Sequence, residues 1–186
     1  CSAASTGEEP YSIAMTLLET LGAKASQAKV IATDIDTDAL AKARQGIYPQ
    51  EQVRKLDEAR VKRFFQKGTG NHIGLARVRP EVSALVEFMP LNLLAPQWPI
   101  KGPFDAIFCR NIMIYFDKET QAKILKRFAP LMKQDGLLFA GHSTRDICLV
   151  LELIFVEHRS VSNEVLRGLA CVLFEHRAKV MQYLLI

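Results

Sequence analysis

The chain has 186 residues, 49% of them apolar, with 24 basic and 20 acidic side chains and a formal net charge of +4. That suits one domain with a buried core, or one domain with a small insertion. The dispersed basic residues, with Lys62-Arg63 and Lys67 as the local cluster, argue against a nucleic-acid partner and are compatible with acidic protein surfaces.

The first stretch, Ser2-Ala3-Ala4-Ser5-Thr6-Gly7-Glu8-Glu9-Pro10-Tyr11-Ser12, is a small-residue turn running into a helix, Pro10 to Leu21, with Gly22 as its stop. Small residues let backbone approach a ligand closely. Ser5 or Thr6 is expected to cap the helix. Glu8 and Glu9 would repel a phosphate, so this turn suits a cationic or hydroxyl-rich ligand rather than the usual anion. The plainer reading is an ordinary capped helix start with acids in its first turn.

Lys29 to Asp36 reads as a short buried strand ending in acids. Asp34 lies 25 residues beyond Glu9. An acid at that place in a βαβ nucleotide site bonds the ribose hydroxyls. Asp34 or Asp36 could instead cap the next helix, Thr37 to Gly46, and Asp36 is the better placed for capping.

Gln50 to Phe65 is expected to be a charged helical stretch with Val53, Leu56, Val61, Phe64 and Phe65 on its apolar face. The period then changes. Ile73 to Pro80 and Ala84 to Met89, with turn residues between, predict a small antiparallel ribbon inserted at about residues 60–88. Such a ribbon is either a structural flap or an open edge that takes a peptide as an extra strand.

The βα rhythm returns with Leu91-Asn92-Leu93 closing a strand-like stretch. A strand follows at Phe104 to Cys109, an amphipathic helix at Lys118 to Met132, and a strand and loop from Gly136 to Ser143. Ligands of open α/β sheets bind beyond the carboxyl ends of the strands. Glu9, Asp34, Asn92 and Arg110 are all expected there, and their convergence on one rim is the central expectation. Arg110 could otherwise pair with Asp105 or Asp117, and Tyr115 could be a core aromatic.

Cys1, Cys109, Cys148 and Cys171 form no CxxC pair and no metal spacing. No metal is expected, and a reduced, cytoplasmic compartment fits. No signal peptide is expected. Apolar runs such as Ile147 to Val156 are too short and carry an acid, so no membrane insertion is expected.

Four stretches together resemble the bacterial chemotaxis receptor methyltransferases: Ser5 to Ser12, Thr33 to Asp36, Pro103 to Asn111 with Ile114-Tyr115-Phe116, and Leu137 to Ser143. The resemblance covers residues 1–143. It implies an S-adenosylmethionine-dependent protein-glutamate O-methyltransferase that esterifies chemotaxis receptors, with S-adenosylhomocysteine as product. The implied fold is α/β, a Rossmann-like class I methyltransferase sheet with most of its first strand missing and a small antiparallel ribbon inserted.

By the resemblance, Glu9, Asp34, Asn92, Leu93, Arg110 and Asn111 bind cofactor. Arg110 and Tyr115 are catalytic. Lys67, Gly68, Gly74 and Arg77 dock the receptor's C-terminal peptide. The partner is the cytoplasmic domain of the receptors, and the enzyme is a monomer.

The chain departs from the family in two ways. The family's helical N-terminal domain is expected to lie outside this sequence, and after Ser143 the chain runs into an unfamiliar tail, 144–186. Within that tail, Ile147 to Val156 suits a strand and Glu164 to Tyr183 a helix. Its echo of Glu157-His158-Arg159 in Glu175-His176-Arg177 suits chance better than a metal site. The chain is expected to be part of a longer protein, and to bind cofactor weakly by itself. The alternatives are a non-catalytic cofactor- or receptor-peptide-binding module, or a methyltransferase with another substrate.

Overall fold

The computed structural model describes residues 1–140. The Gly141-His142-Ser143 loop and everything expected of 144–186 therefore lie outside the described residues. The described residues form two compact units, one holding Cys1 and Ala3–Pro90, the other Ser2 and residues 91–140.

In the first unit, helix α1 (Glu8–Leu21) begins behind Gly7, whose φ is 98°. The expected Ser5 or Thr6 cap is not made. Ser5 itself has a φ of 46°, and the left-handed backbone at Ser5 and Gly7 departs from the extended geometry that an N-cap residue usually takes. The Thr6 hydroxyl donates instead to the two carboxylate oxygens of Glu8, at 2.8 and 2.7 Å. Glu8 and Glu9 offset the exposed N–H groups by charge.

Strand β1 (Val30–Asp34) follows, and the first residues of the chain run beside it. The Cys1 amine donates to the Ile31 carbonyl, the Cys1 carbonyl accepts from Thr33 N–H, and Ala4 N–H donates to the Thr33 carbonyl. Helix α2 (Thr37–Gln45) starts on the Asp36 carboxylate, which accepts from Asp38 and Ala39 N–H at 2.9 and 3.0 Å. It ends at Gly46 with a φ of 61°.

Strand β2 (Ile47–Pro49) leads into α3 (Gln50–Val53) and α4 (Glu58–Phe64). The expected single helix over Gln50–Phe65 is therefore two short ones. Asp57 accepts from Ala59 and Arg60 N–H, and this local bonding starts a new helix in place of continuing the old one. Strands β3 (Phe65–Lys67) and β4 (Leu75–Val78), the one-turn helix α5 (Pro80–Ser83) and strand β5 (Val86–Pro90) complete the unit.

An antiparallel sheet has the order β2-β4-β3. Strand β5 does not join it. It pairs in parallel with β1, Val86 opposite Val30 through Pro90 opposite Asp34. The sheet thus uses residues 47–78 and recruits Ile47–Pro49, while Ala84–Met89, expected within the ribbon, lies beside β1. Helix α5 redirects the chain, and Val86 and Phe88 then pack on the core formed by Tyr11, Met15, Val30 and Phe64.

Arg60 links α4 to α1. Its guanidinium is buried and donates to Glu19 Oε1 and Oε2 at 2.8 and 2.5 Å and to Thr16 Oγ1 at 3.0 Å.

In the second unit, strand β6 (Phe104–Cys109) pairs in parallel with β7 (Met132–Ala140). Helix α6 (Lys118–Phe128) supplies Ile124, Leu125 and Phe128 to a core with Leu91, Leu93, Ile107, Cys109 and Met113. The helix ends four residues before the expected Met132. A short 3₁₀ turn at Ala129–Leu131, with Pro130 near its start, stops it, and β7 begins at once. The register breaks between Phe104, opposite Met132, and Ala106, opposite Leu137. Leu91-Asn92-Leu93 is not strand, because β5 stops at Pro90.

Replacing one partner of a buried ion pair strands a charge and costs ~3–5 kcal/mol, whereas replacing both by apolar residues is often near neutral. Glu19 keeps 28% of its side-chain surface exposed, so Arg60→Ala is expected at about 3 kcal/mol, the low end. The double variant Arg60→Met/Glu19→Leu is expected to recover most of that loss. Urea unfolding measures both, and equal loss in the single and double variants would refute a stranded charge.

Candidate functional site

The first unit carries Glu9 and Asp34. Asp34 is the last residue of β1, and its carboxylate joins two loops. Oδ2 accepts from Ser5 N–H at 2.8 Å and Oδ1 from Asp36 N–H at 3.0 Å. Capping of α2 falls to Asp36, so Asp34 is not a cap. An ionised carboxylate has about four acceptor positions, so two remain for a diol. Glu9, half-buried in the first turn of α1, accepts from Cys1 Sγ at 3.1 Å. Glu9 and Asp34 are thus both tied to residues 1–5, the segment beside β1.

Glu8 has a different role. Besides the Thr6 hydroxyl, its Oε1 accepts from Gln52 Nε2 at 3.1 Å. Tyr48 donates its hydroxyl to the Thr6 carbonyl at 2.8 Å. Burial, and then the nearby Glu8 carboxylate, push the Tyr48 phenol far above its ordinary value, so it stays a neutral donor. Glu8, Tyr48 and Gln52 line a cavity of about 20 Å³ with Tyr11, Met15 and Phe65.

The second unit carries Asn92, Leu93, Arg110, Asn111 and Tyr115. Asn92 makes a side-chain turn, with its Oδ1 accepting from Leu94 N–H at 2.9 Å. Leu93 is buried. Its carbonyl and that of Pro96 accept from Arg127 at 3.1 and 3.2 Å. The Arg127 guanidinium lies 3.9 Å from the Trp98 ring centroid. Arg110 directly follows β6, and Asn111 has a φ of 57°, a conformation Asn tolerates better than most residues.

Tyr115 is 76% exposed, so it is not a core aromatic. It sits on a 3₁₀ turn, Met113–Tyr115, whose flanking carbonyls, Met113 and Phe116, both accept from Gln121 Nε2 at 2.9 Å. Asp105 pairs with Lys133 at 2.5 Å and Asp117 caps α6 through Thr120 N–H at 2.8 Å. The sequence reading missed Tyr48, Gln52, Gln121 and Arg127. Each acts through a carbonyl or carboxylate on another element, and neither periodicity nor motif spacing marks that.

In the ribbon, Lys67 ends β3, an edge strand, while Arg77 lies in the central strand β4 opposite Gln66. Gly68 N–H donates to the Leu75 carbonyl. A Cβ at Gly68 would collide with the His72 backbone carbonyl. Gly74, at φ 87°, lies in open space. Among the described residues, no group of three His, Cys, Asp or Glu is placed to hold a metal, and no helix is long and apolar enough to cross a membrane.

Parallel strand pairs alternating with helices, beside a small antiparallel sheet, define a mixed α/β chain, and in the first unit an acid stands at the carboxyl end of β1, where α/β folds hold nucleotides. Residues 1–146 match the family described as CheR methyltransferase, SAM binding domain, and the chain belongs to that family. It is 62% identical over 142 residues to the chemotaxis protein methyltransferase of Escherichia coli K12, a match covering 76% of this chain and 50% of the relative. It is 55% identical over 142 residues to chemotaxis protein methyltransferase 2 of Pseudomonas aeruginosa, covering 76% and 51%. With the chemotaxis protein methyltransferase of Borreliella burgdorferi the identity is 36% over 141 residues, covering 75% and 49%. The matches span about half the length of these relatives.

The turn bearing Tyr115 runs directly into the α6 cap. The Thr120 backbone N–H holds the Asp117 carboxyl below its ordinary value. A group depressed on folding contributes stability in full above its unfolded value, ~3.9 for Asp, and loses that contribution as pH falls through the folded value. Asp117→Asn keeps a capping oxygen without the titration. The stability gap between wild type and Asp117→Asn is therefore expected to shrink between pH 7 and pH 3, measured by urea midpoints. A gap independent of pH would remove the titration from the cap.

Proposed function

We propose that the protein to which this chain belongs transfers methyl groups from S-adenosylmethionine to glutamate side chains of chemotaxis receptors, giving glutamyl methyl esters. Residues 1–143 are read as its Rossmann-like class I methyltransferase domain, acting as a cytoplasmic monomer on the receptors' cytoplasmic domain. The observation that carries this reading is membership of a SAM-binding methyltransferase family over residues 1–146, together with the names of the relatives.

The donor set fits the cofactor. Asp34 keeps acceptor capacity at a strand end, as a ribose diol requires. Glu9, in the first turn of α1, adds negative charge that suits a sulfonium. Asn92 and Leu93 would flank the adenine, and Arg110 and Asn111 the methionine end. When bound, S-adenosylmethionine supplies an electrophilic methyl on a positively charged sulfur.

The acceptor carboxylate is already ionised near pH 7, with a reference pKa of ~4.3, so no general base is required. The protein's task is alignment and exclusion of water, and good orientation supplies about 7–11 kcal/mol. Arg110 pairs the incoming carboxylate, for which a planar guanidinium is suited. Tyr115, exposed at the end of its turn, walls the methyl site.

A second reading concerns the ribbon, which we read as the docking site for the receptor's C-terminal peptide. It is favoured by the position of Lys67 on edge strand β3. Gln66 faces Arg77 and Gly68 bonds Leu75, so the alternation of the antiparallel ladder turns the Lys67 N–H and C=O outward. An extended peptide can add there, with Gly68, Gly74 and Arg77 close by in the same sheet and its loop.

Receptor fragments incubated with the protein and labelled S-adenosylmethionine are expected to gain label that base releases as methanol. Base-stable label would point to N-methylation and another substrate. Arg110→Ala is expected to lower turnover at least about tenfold at saturating cofactor, the low end for loss of a charged hydrogen bond. Wild-type turnover would remove Arg110 from the chemistry. Gly68→Ala is expected to abolish capture of the receptor's C-terminal peptide while methylation of tail-less fragments persists, and retained capture would count against the ribbon as its dock.

A further inference from the structure

We propose that Tyr48 is a positioning residue for the methyl-donor site, acting through the Thr6 carbonyl to hold the Ser5–Glu9 turn in its binding shape. The inference rests on the reading of that turn as part of the donor site.

Three features of the structure converge on it. The first is the bond itself. Tyr48 is 7% exposed and donates to a main-chain carbonyl inside the turn at 2.8 Å. A buried phenol requires a partner, and a loop carbonyl turned from water requires one equally.

The second is fit. A Cβ at Gly7 would come within 2.9 Å of the Tyr48 hydroxyl oxygen and 3.0 Å of Ala43 Cβ. The absent side chain of Gly7 is what admits the phenol. The turn's left-handed backbone and the phenol therefore specify one another. Tyr11 closes the same junction, edge-on to Tyr48 at 6.3 Å and donating to the Ala43 carbonyl at 2.8 Å.

The third is how the two acids are held. Glu8 accepts from the Thr6 hydroxyl and from Gln52, which holds its carboxylate against α3. Glu9 is held by Cys1, on the segment that Asp34 also contacts. Adjacent carboxylates are thus held from different elements, Glu8 beside α3 and Glu9 beside β1. Tyr48 and Gln52 both come from the segment β2–α3, so this stretch sets the shape of the turn without contacting the ligand itself.

The test is calorimetric affinity for S-adenosylhomocysteine, with donor KM and kcat, in the full protein and its Tyr48→Phe, Gln52→Ala and Asp34→Ala variants. Unfolding midpoints are taken without ligand. Tyr48→Phe keeps the ring and loses one hydrogen bond, and is expected to weaken binding about three- to tenfold, with the loss in donor KM rather than kcat. Gln52→Ala is expected to weaken binding about two- to fivefold. A shifted midpoint with wild-type affinity in both variants would assign Tyr48 to stability alone and overturn the inference. Asp34→Ala separates the premise. If it leaves affinity unchanged, the donor site has been misread and the inference falls with it. If it weakens binding while the other two variants do not, only the inference fails.

Discussion

The site in the first unit depends on one carboxylate. Asp34, at the carboxyl end of β1, accepts one backbone N–H from the turn before α1 and another from the residue that caps α2. Strand ends in a parallel sheet leave loop N–H groups needing acceptors. A charged acceptor forms stronger bonds to them than a neutral one. By gripping Ser5 and Asp36 together, Asp34 fixes where both helices start. Because only two of its acceptor positions are used in this way, the same group keeps room for a ligand's hydroxyls. A neutral amide at 34 would have one acceptor oxygen in place of two, and could not serve both loops and a diol.

Around that carboxylate, positioning is delegated to side chains on other elements. Tyr48 and Gln52 reach the first turn from β2 and α3, and Arg60 secures α4 to α1 through a buried pair. In the second unit Gln121 brackets the Tyr115 turn and Arg127 holds the Leu93–Pro96 turn. Three of these contacts hold loops, and the Arg60 pair holds two helices together. Irregular backbone cannot satisfy its own carbonyls, so long amides, guanidinium and phenol groups from neighbouring secondary structure satisfy them. Rigid placement by such contacts is what a reaction driven by orientation requires.

The sequence made the regular parts legible. Strands β1 and β6 announced themselves as short apolar runs, helix α2 by its Asp36 cap, and α6 by its amphipathic period. The misplacements share a cause. Asp57 split an apolar-periodic stretch into two helices because its side chain bonds the backbone locally, which periodicity does not register. Val86–Pro90 has the same alternation whether it pairs with a ribbon or with β1, and long-range packing of Val86 and Phe88 decided the matter. Pro130 ended α6 early, and β7 gained residues in exchange. The place of Asp34 at a strand end was legible because strand, acid and spacing coincide. Tyr48 and Gln121 were not, since each serves a backbone carbonyl and carries no motif.

Tyr115 illustrates why the proposed chemistry needs so little acid–base machinery. An aromatic side chain 76% exposed, beside an Ile114 that is 67% exposed, forfeits the burial that would stabilise it by about 1.5–3 kcal/mol. Nevertheless its turn is fixed by two bonds from Gln121, which is a poor arrangement for a residue with only a packing role. The arrangement suits a surface that another molecule covers. A glutamate carboxylate arriving in water is ionised but strongly solvated, and that solvation blunts it as a nucleophile. Covering Tyr115 and Ile114 with the acceptor protein would strip water from the carboxylate while Arg110 compensates its charge. In the proposed reaction, desolvation would do the work that a general base does in enzymes whose nucleophile arrives protonated, and the protein substrate would itself complete the site.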